Sequence, residues 1–213
     1  MKAFYKGNPL VEPSQRPFPY LNSFHPLDSD SQSEKKSICF TYASSMFPNT
    51  GRLLFVVETT AEGYGPLLVK FCRRYGKDAH VKCGELGIAP KMVGFEKLHG
   101  GWFAVVMELL PSSFKPLREL TDLEDLERRV TDAVQRMHDA GFVHGDLRDT
   151  NIFIDVTSDN DVVKIVDWDW AARSGDVKYP TSINLQVPRA AAAMGNVAIV
   201  EAHDMETMHL IFQ

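Results

Sequence analysis

The sequence predicts an α+β protein, with strands gathered in its first half and its strongest helix in the second. Three observations predict this. Short β-type apolar runs recur between Ser37 and Met107, an apolar stripe at helical spacing runs from Thr121 to Gly141, and two later apolar runs carry acidic residues at their ends. With 213 residues, 44% hydrophobic and 24% charged, the chain can bury a substantial core without a disulfide or structural metal.

Residues 1–36 read as a Pro-rich extension. Pro9, Pro13, Pro17, Pro19 and Pro26 remove backbone donors, and Asp28-Ser29-Asp30-Ser31-Gln32-Ser33-Glu34 offers little to bury. Phe18, Tyr20 and Phe24 are the residues able to pin this arm to a body. Beyond it, strands are expected at 38–42, 53–57 and 67–71, the last two joined by the turn formers of Glu62-Gly63-Tyr64-Gly65-Pro66. A short helix is expected over Asp78–Leu86, stopped by Gly87 and Pro90, followed by strands at 91–95 and 102–107. The order is β-β-β-α-β-β.

In the second half, Thr121-Asp122-Leu123-Glu124 fits a capping box. Leu123, Leu126, Val130, Ala133, Val134, Met137 and Ala140 then form one helical face, ending at Gly141.

Charge and composition exclude several roles. A net charge of -5 argues against a basic nucleic-acid-binding face. No apolar run reaches the roughly 18 residues a membrane helix needs, and Met1-Lys2-Ala3-Phe4-Tyr5 lacks the apolar core of a secretory signal. Cys39, Cys72 and Cys83 form no CxxC pair, so an intracellular, cytoplasmic setting is expected, with Cys72 and Cys83 as inert small hydrophobes.

The chemistry concentrates after the long helix. His144-Gly145-Asp146-Leu147-Arg148 leads to Asn151, and Val163-Lys164-Ile165-Val166 leads to Asp167-Trp168-Asp169-Trp170. A hairpin turning at Ser158-Asp159-Asn160-Asp161 would bring Asp146, Asn151 and Asp167 to one rim. Two carboxylates and an amide oxygen there suit Mg²⁺, a hard cation that leaves room for phosphate ligands.

The loop from His144 to Asn151 resembles the catalytic loop of the protein-kinase-like superfamily, and Asp167-Trp168-Asp169 resembles its metal-binding Asp-Phe-Gly motif. The wording is most similar to compact fungal-type kinase-like proteins, with the aminoglycoside/choline kinase branch as near neighbour, over roughly residues 37–213. The resemblance implies a bilobal kinase-like fold: a small β-rich N-lobe over 37–108 and a truncated, mainly helical C-lobe over 109–213. It implies ATP and Mg²⁺ as cofactors and transfer of the γ-phosphoryl group to a hydroxyl acceptor, a protein Ser/Thr in the first instance and a small molecule in the second. It makes Asp146 the residue that orients or accepts the acceptor's proton, and Arg148 a cation near the transferred phosphoryl. Asn151 and Asp167 become the Mg²⁺ ligands, and Lys70 the cation on the α/β-phosphates. Met107 becomes the gatekeeper of a hinge whose Glu108 carbonyl and Leu110 amide face adenine. Asp204 is expected to brace the catalytic loop. Trp168 and Trp170 read as core packing, and His80 and His138 as packing or surface residues.

The pattern also departs from the family. No G-x-G-x-x-G precedes Lys70, and the loop Ser44–Gly51 stands in its place with one glycine. Asp78, His80 and Glu85 are the candidate partners of Lys70, none within a motif. Gly145 replaces an arginine, and Asp169 replaces a glycine and offers an extra carboxylate. These losses keep a pseudokinase acting as a scaffold module as the alternative. The densely apolar end, Val197 to Phe212, is expected to expose a face covered by the N-terminal arm, by a second copy in a homodimer, or by another partner. Neither a nucleic acid nor a membrane is expected as partner.

Overall fold

The computed structural model describes residues 20–27, 37–48, 50–121, 124–157 and 162–213. Phe18, the polar run from Asp28, the centre of the capping box and the turn at 158–161 lie outside the described residues. The chain forms two compact units: the chain up to Arg74 with Lys91–Leu109, and Tyr75–Pro90 with Leu110–Gln213.

The first unit is a set of antiparallel strands. β1 (Ser23–Phe24) pairs with β2 (Ile38–Cys39). β3 (Thr41–Ser45), β4 (Leu54–Glu58), β5 (Leu67–Cys72), β6 (Met92–Leu98) and β7 (Trp102–Glu108) form one sheet in the order β3-β4-β5-β7-β6. The run expected as one strand over 38–42 breaks at Phe40, whose amide donates to the Asn22 carbonyl at 2.9 Å while its ring is buried.

That contact corrects the reading of residues 20–27 as part of an extension. Phe24 is fully buried, edge-on to Tyr64 at 5.9 Å and beside Phe40 at 6.3 Å. It lies over Gly94, where any Cβ would come within 2.5 Å of the Phe24 ring. Leu27 donates to the Val93 carbonyl, and the Tyr42 hydroxyl donates to the Leu21 carbonyl. Aromatic burial thus outweighs the cost of ordering this segment.

The second unit contains α1 (Lys77–Glu85), β8 (Phe114–Pro116), α2 (Glu124–Asp139), β9 (Phe142–Val143), β10 (Ile152–Asp155), β11 (Val163–Ile165), β12 (Ala172–Arg173) and α3 (Glu201–Ile211). α1 falls inside the 37–108 stretch yet clusters with this unit, because Ala79, Cys83 and His80 are buried in it. α2 buries the anticipated face: Leu126, Val130, Ala133, Val134 and Met137 lie in the main core of the unit. β10 pairs with β11 and with β8, an edge strand not anticipated from sequence, where Pro116 needs no ladder donor.

The apolar C-terminal segment is not an open face. Met208 is buried, and Met205, Ile211 and Phe212 pack against the core of their own unit. Ile199 closes a smaller cluster with Val143, Tyr179, Ala190 and Ala193. Val197 and Leu210 remain exposed as single side chains, which is ordinary for a protein surface. The reason is local: the segment before α3 folds back onto β9 rather than running away from it.

Candidate functional site

The loop after β9 is shaped by one buried carboxylate. Asp204, in the first turn of α3, accepts from the amides of His144 at 2.7 Å and Gly145 at 2.8 Å, while His138 Nε2 from α2 lies 3.2 Å away. Two charge-assisted bonds to consecutive amides hold a chain that no regular ladder supports. Gly145 adopts φ 76°, a region open to glycine, and a Cβ there would lie 2.8 Å from Ile199 Cδ1. The glycine standing in place of an arginine is thus a backbone requirement.

The histidine of the loop is a neutral link. His144 Nδ1 accepts from the Asp146 amide at 3.2 Å, so the ring proton sits on Nε2, which donates to the Val166 carbonyl at 3.1 Å. One ring thereby ties the backbone at Asp146 to the chain entering Asp167. Beside it, the fully buried Trp168 lies edge-on to His144 at 5.0 Å and stacks on His80 at 5.6 Å. His80 is committed on both nitrogens, to the Tyr75 hydroxyl and the Pro90 carbonyl, each at 2.7 Å. Glu85 pairs with Lys82 at 3.1 Å.

Asn151 and Asp167 flank one end of the β10–β11 hairpin, where Ile152 faces Ile165 and the Val166 amide donates to the Asn151 carbonyl at 2.9 Å. The Asn151 side-chain amide donates to the Asp146 carbonyl at 3.0 Å, leaving Oδ1 as its donor atom toward a cation, with the Thr150 hydroxyl 3.4 Å away. Asp167 has φ 72° and ψ 57°, a left-handed conformation rare for a non-glycine residue and frequent at functional sites. An amide oxygen and a carboxylate fit Mg²⁺ supplied with its remaining ligands by phosphates and water. No closed cluster of three or more His, Cys, Asp or Glu able to hold a metal occurs among the described residues.

The Asp146 carboxylate lies between two guanidiniums. Arg148 Nη2 donates to its Oδ2 at 2.8 Å. Arg189 Nη1 lies 2.6 Å from Oδ1, with the N–H directed away from hydrogen-bond alignment, so Oδ1 is held by charge rather than by an aligned bond. The Arg189 guanidinium lies 4.8 Å over the Trp170 ring and its side chain is 8% exposed. Its neighbours are anchored to α3: the Ala190 amide donates to Thr207 Oγ1 and the Ala191 amide to Glu206 Oε1. Arg189 escaped the sequence reading because it belongs to no motif. Its one signal is that it is the single charge in Val187–Met194. Trp170, read as core packing, does pack against the cluster of Val143, Tyr179 and Ile199, and its partly exposed ring is also the platform for this guanidinium.

Burial pushes the Tyr179 phenol well above its ordinary value, Asp204 and Asp146 add to the shift, and Arg189 opposes it. Tyr179 therefore remains a neutral wall of the site, edge-on to Trp170 at 5.8 Å. The hydrogen bond from Ser174 pulls the Glu201 carboxyl below its usual range.

Of the remaining predicted residues, Lys70, Met107 and Glu108 belong to the first unit and Leu110 to the second. Lys70 is half-buried on β5, opposite Leu54 and Val105, in the interior of the five-stranded sheet. Met107 is buried on β7, and Glu108 ends that strand, its Oε2 accepting from the Lys91 amide at 3.1 Å. Leu110 opens the second stretch of the other unit. Of the loop expected over 44–51, Ser44 and Ser45 instead pair with β4 as the end of β3, and Arg52 lies 5.1 Å over the Phe47 ring.

No protein-family model matches the chain. Among solved structures, 1021 chains match its fold. One is the kinase PK-1 of the Cydia pomonella granulovirus, with a TM-score of 0.62 and 12% identity, covering 79% of this chain and 65% of that one. The chain thus spans about 65% of the length of the kinase it matches, and it has a protein-kinase-like fold of mixed α and β structure.

Proposed function

We propose that the protein is a phosphotransferase that uses Mg²⁺ and ATP to phosphorylate a hydroxyl, as in fungal-type kinase-like proteins. The observation that carries this reading is the 144–151 loop. Asp204 clamps its backbone, Asn151 ties its far end, and the result presents Asp146 beside the hairpin end that bears Asn151 and Asp167. Bound Mg²⁺ would neutralise charge on the phosphates. Asn151 Oδ1 and the Asp167 carboxylate would hold it, and Lys70 would contact the α/β-phosphates. Asp146 would orient the acceptor hydroxyl and take its proton, while Arg148, on the other carboxylate oxygen, would face the transferred phosphoryl. The work is positioning and charge stabilisation, with no covalent intermediate on the protein.

Asp146→Asn is expected to lower transfer of radiolabelled γ-phosphate by about 10²–10⁴-fold, the usual worth of a positioned acid–base group, while Mg·ATP binding by calorimetry stays within a few-fold. Unchanged transfer would remove Asp146 from the mechanism. Asp167→Ala should weaken ATP binding in Mg²⁺ but not in EDTA, whereas Lys70→Ala should weaken it in both. Thermal shifts with ATP under the two conditions separate the roles. The pairing of Asp146 with Arg189 also favours a second reading, a nucleotide-binding pseudokinase whose loop stays occupied. ATP binding without transfer to Ser/Thr peptides or small alcohols would select it.

A further inference from the structure

Resting on the proposed phosphotransfer, the acceptor question can be narrowed, because Asp146 is not free to receive a neutral hydroxyl. One carboxylate oxygen takes an aligned hydrogen bond from Arg148, and the other lies 2.6 Å from Arg189 without alignment. Arg189 is the more deeply placed cation, with its side chain 8% exposed against 26% for Arg148. The Nε atoms of both guanidiniums are buried and have no hydrogen-bond partner among the described residues. A buried N–H of a charged group left unpaired is costly, more so than for a neutral group. The site therefore holds two cations with unused donors around one carboxylate, and the contact between Arg189 and Asp146 has poor geometry.

The placement of Arg189 is built rather than incidental. Its guanidinium lies on Trp170, and the next two amides are bonded to Thr207 and Glu206 of α3. The side chain can pivot at its own torsions while its backbone stays fixed. An anion that offers Arg189 a bidentate partner would outcompete the misaligned Asp146 oxygen. In doing so it would free Oδ1 for the hydroxyl beside it.

We infer that Arg189 is a specificity residue that selects acidic peptide acceptors, in which a side-chain carboxylate adjacent to the target hydroxyl draws the guanidinium off Asp146. The acceptor thus opens the carboxylate it is to use. A neutral acceptor leaves Arg189 on Asp146 and is bound and phosphorylated poorly. The sequence of events needs no additional reactant: the hydroxyl proton passes to Asp146 as its oxygen bonds to the γ-phosphorus, and ADP leaves with the bridging oxygen.

The test uses two serine peptides of equal length, one with glutamates flanking the serine and one with glutamines. Binding is read by tryptophan fluorescence and calorimetry, independently of transfer. The protein should bind the glutamate peptide about tenfold or more tightly than the glutamine peptide, the worth of one charge-assisted hydrogen bond. Arg189→Gln should bind both equally, and Arg189→Lys should keep part of the preference. Asp146→Asn should bind the glutamate peptide more tightly than the parent, since Arg189 loses its competing partner. Should Arg189→Gln fail to fold, the Asp146→Asn arm still decides. Equal binding of both peptides by the parent, a preference that survives Arg189→Gln, or no gain with Asp146→Asn would each overturn the assignment. A preference without transfer to either peptide would sink the phosphotransfer reading and leave an acidic-peptide site. Transfer without preference would do the reverse.

Discussion

The two units of the chain are held by different physics. In the first, backbone ladders run through five paired strands and an aromatic layer fills one side: Phe24, Phe40, Tyr42, Phe55 and Phe71 lie ring to ring at centroid distances between 5.4 and 6.3 Å. In the second, the stretches 144–151 and 166–200 carry little regular structure and depend on side chains bonding to backbone amides. A ladder spreads stabilisation over many equivalent bonds, so no one polar group decides it. A loop clamped by one carboxylate stakes its geometry on that group. Rigidity at a site of irregular backbone is thus concentrated, and the contrast predicts where single substitutions hurt.

The largest effect is expected at Asp204. Asp204→Ala strands the amides of His144 and Gly145 and leaves His138 without its carboxylate. It should destabilise the second unit by roughly 3–5 kcal/mol, as breaking a buried charged network does. Hydrogen exchange at residues 144–146 should rise while the sheet of the first unit keeps its protection. Equal loss of protection in both units would break the comparison.

Phe24→Ala is the counterpart in the first unit. Removing a fully buried ring between Phe40 and Tyr64 should cost roughly 3–5 kcal/mol, toward the lower end because residues 20–27 can peel away. Its exchange signature should fall on β1, β2 and β6 and spare the 144–151 loop. By contrast Tyr42→Phe, which removes one hydroxyl bond to Leu21, should cost only about 1 kcal/mol. That small value would confirm that the sheet does not hang on any one polar group.

Gly145→Ala is intermediate and sharper, since it leaves all hydrogen-bonding groups in place. The left-handed backbone costs roughly 1–2 kcal/mol with a Cβ, and Ile199 must shift to admit it. Transfer should fall more than stability, because the loop's aim is altered before its anchorage.

The smallest effects concern titration. Glu201 is pulled below its usual range by Ser174, so its contribution is present above the unfolded value and lost as pH falls through the lowered folded one. Ser174→Ala should therefore reduce the acid sensitivity of the second unit, read as a smaller drop in melting temperature between neutral pH and pH 4. Cys83 is the alkaline case: burial pushes its thiol from 9.0 up to about 12. Its share of stability is intact below pH 9 and lost as pH rises toward 12. Alkylation followed by mass spectrometry should label exposed Cys39 in the native protein at neutral pH and spare Cys83 until denaturant is added.

Much of this architecture was legible in the residues themselves. The apolar runs near 53–57, 67–71, 91–95 and 102–107 all became strands, and the stripe from Leu126 to Met137 became the buried face of α2. Those elements are set by alternation and helical spacing, which act over a few residues. The gathering of Asp146, Asn151 and Asp167 near one hairpin end was legible for a related reason, because two short apolar runs flank a polar turn. The strand at Phe114–Pro116 was hidden, since three residues with a proline show no period.

What tertiary structure alone decided follows from contacts that span long stretches of chain. Phe24 packs against the five-stranded sheet because Gly94, seventy residues away, leaves room for its ring. α1 joined the second unit because His80 stacks on Trp168. Arg189 reached Asp146 because Thr207 and Glu206 hold the amides that follow it. Local spacing encodes which residues share a strand or a helix face. It carries no record of which distant side chain supplies the missing partner of a buried charge, and that choice falls to the packing of the whole unit.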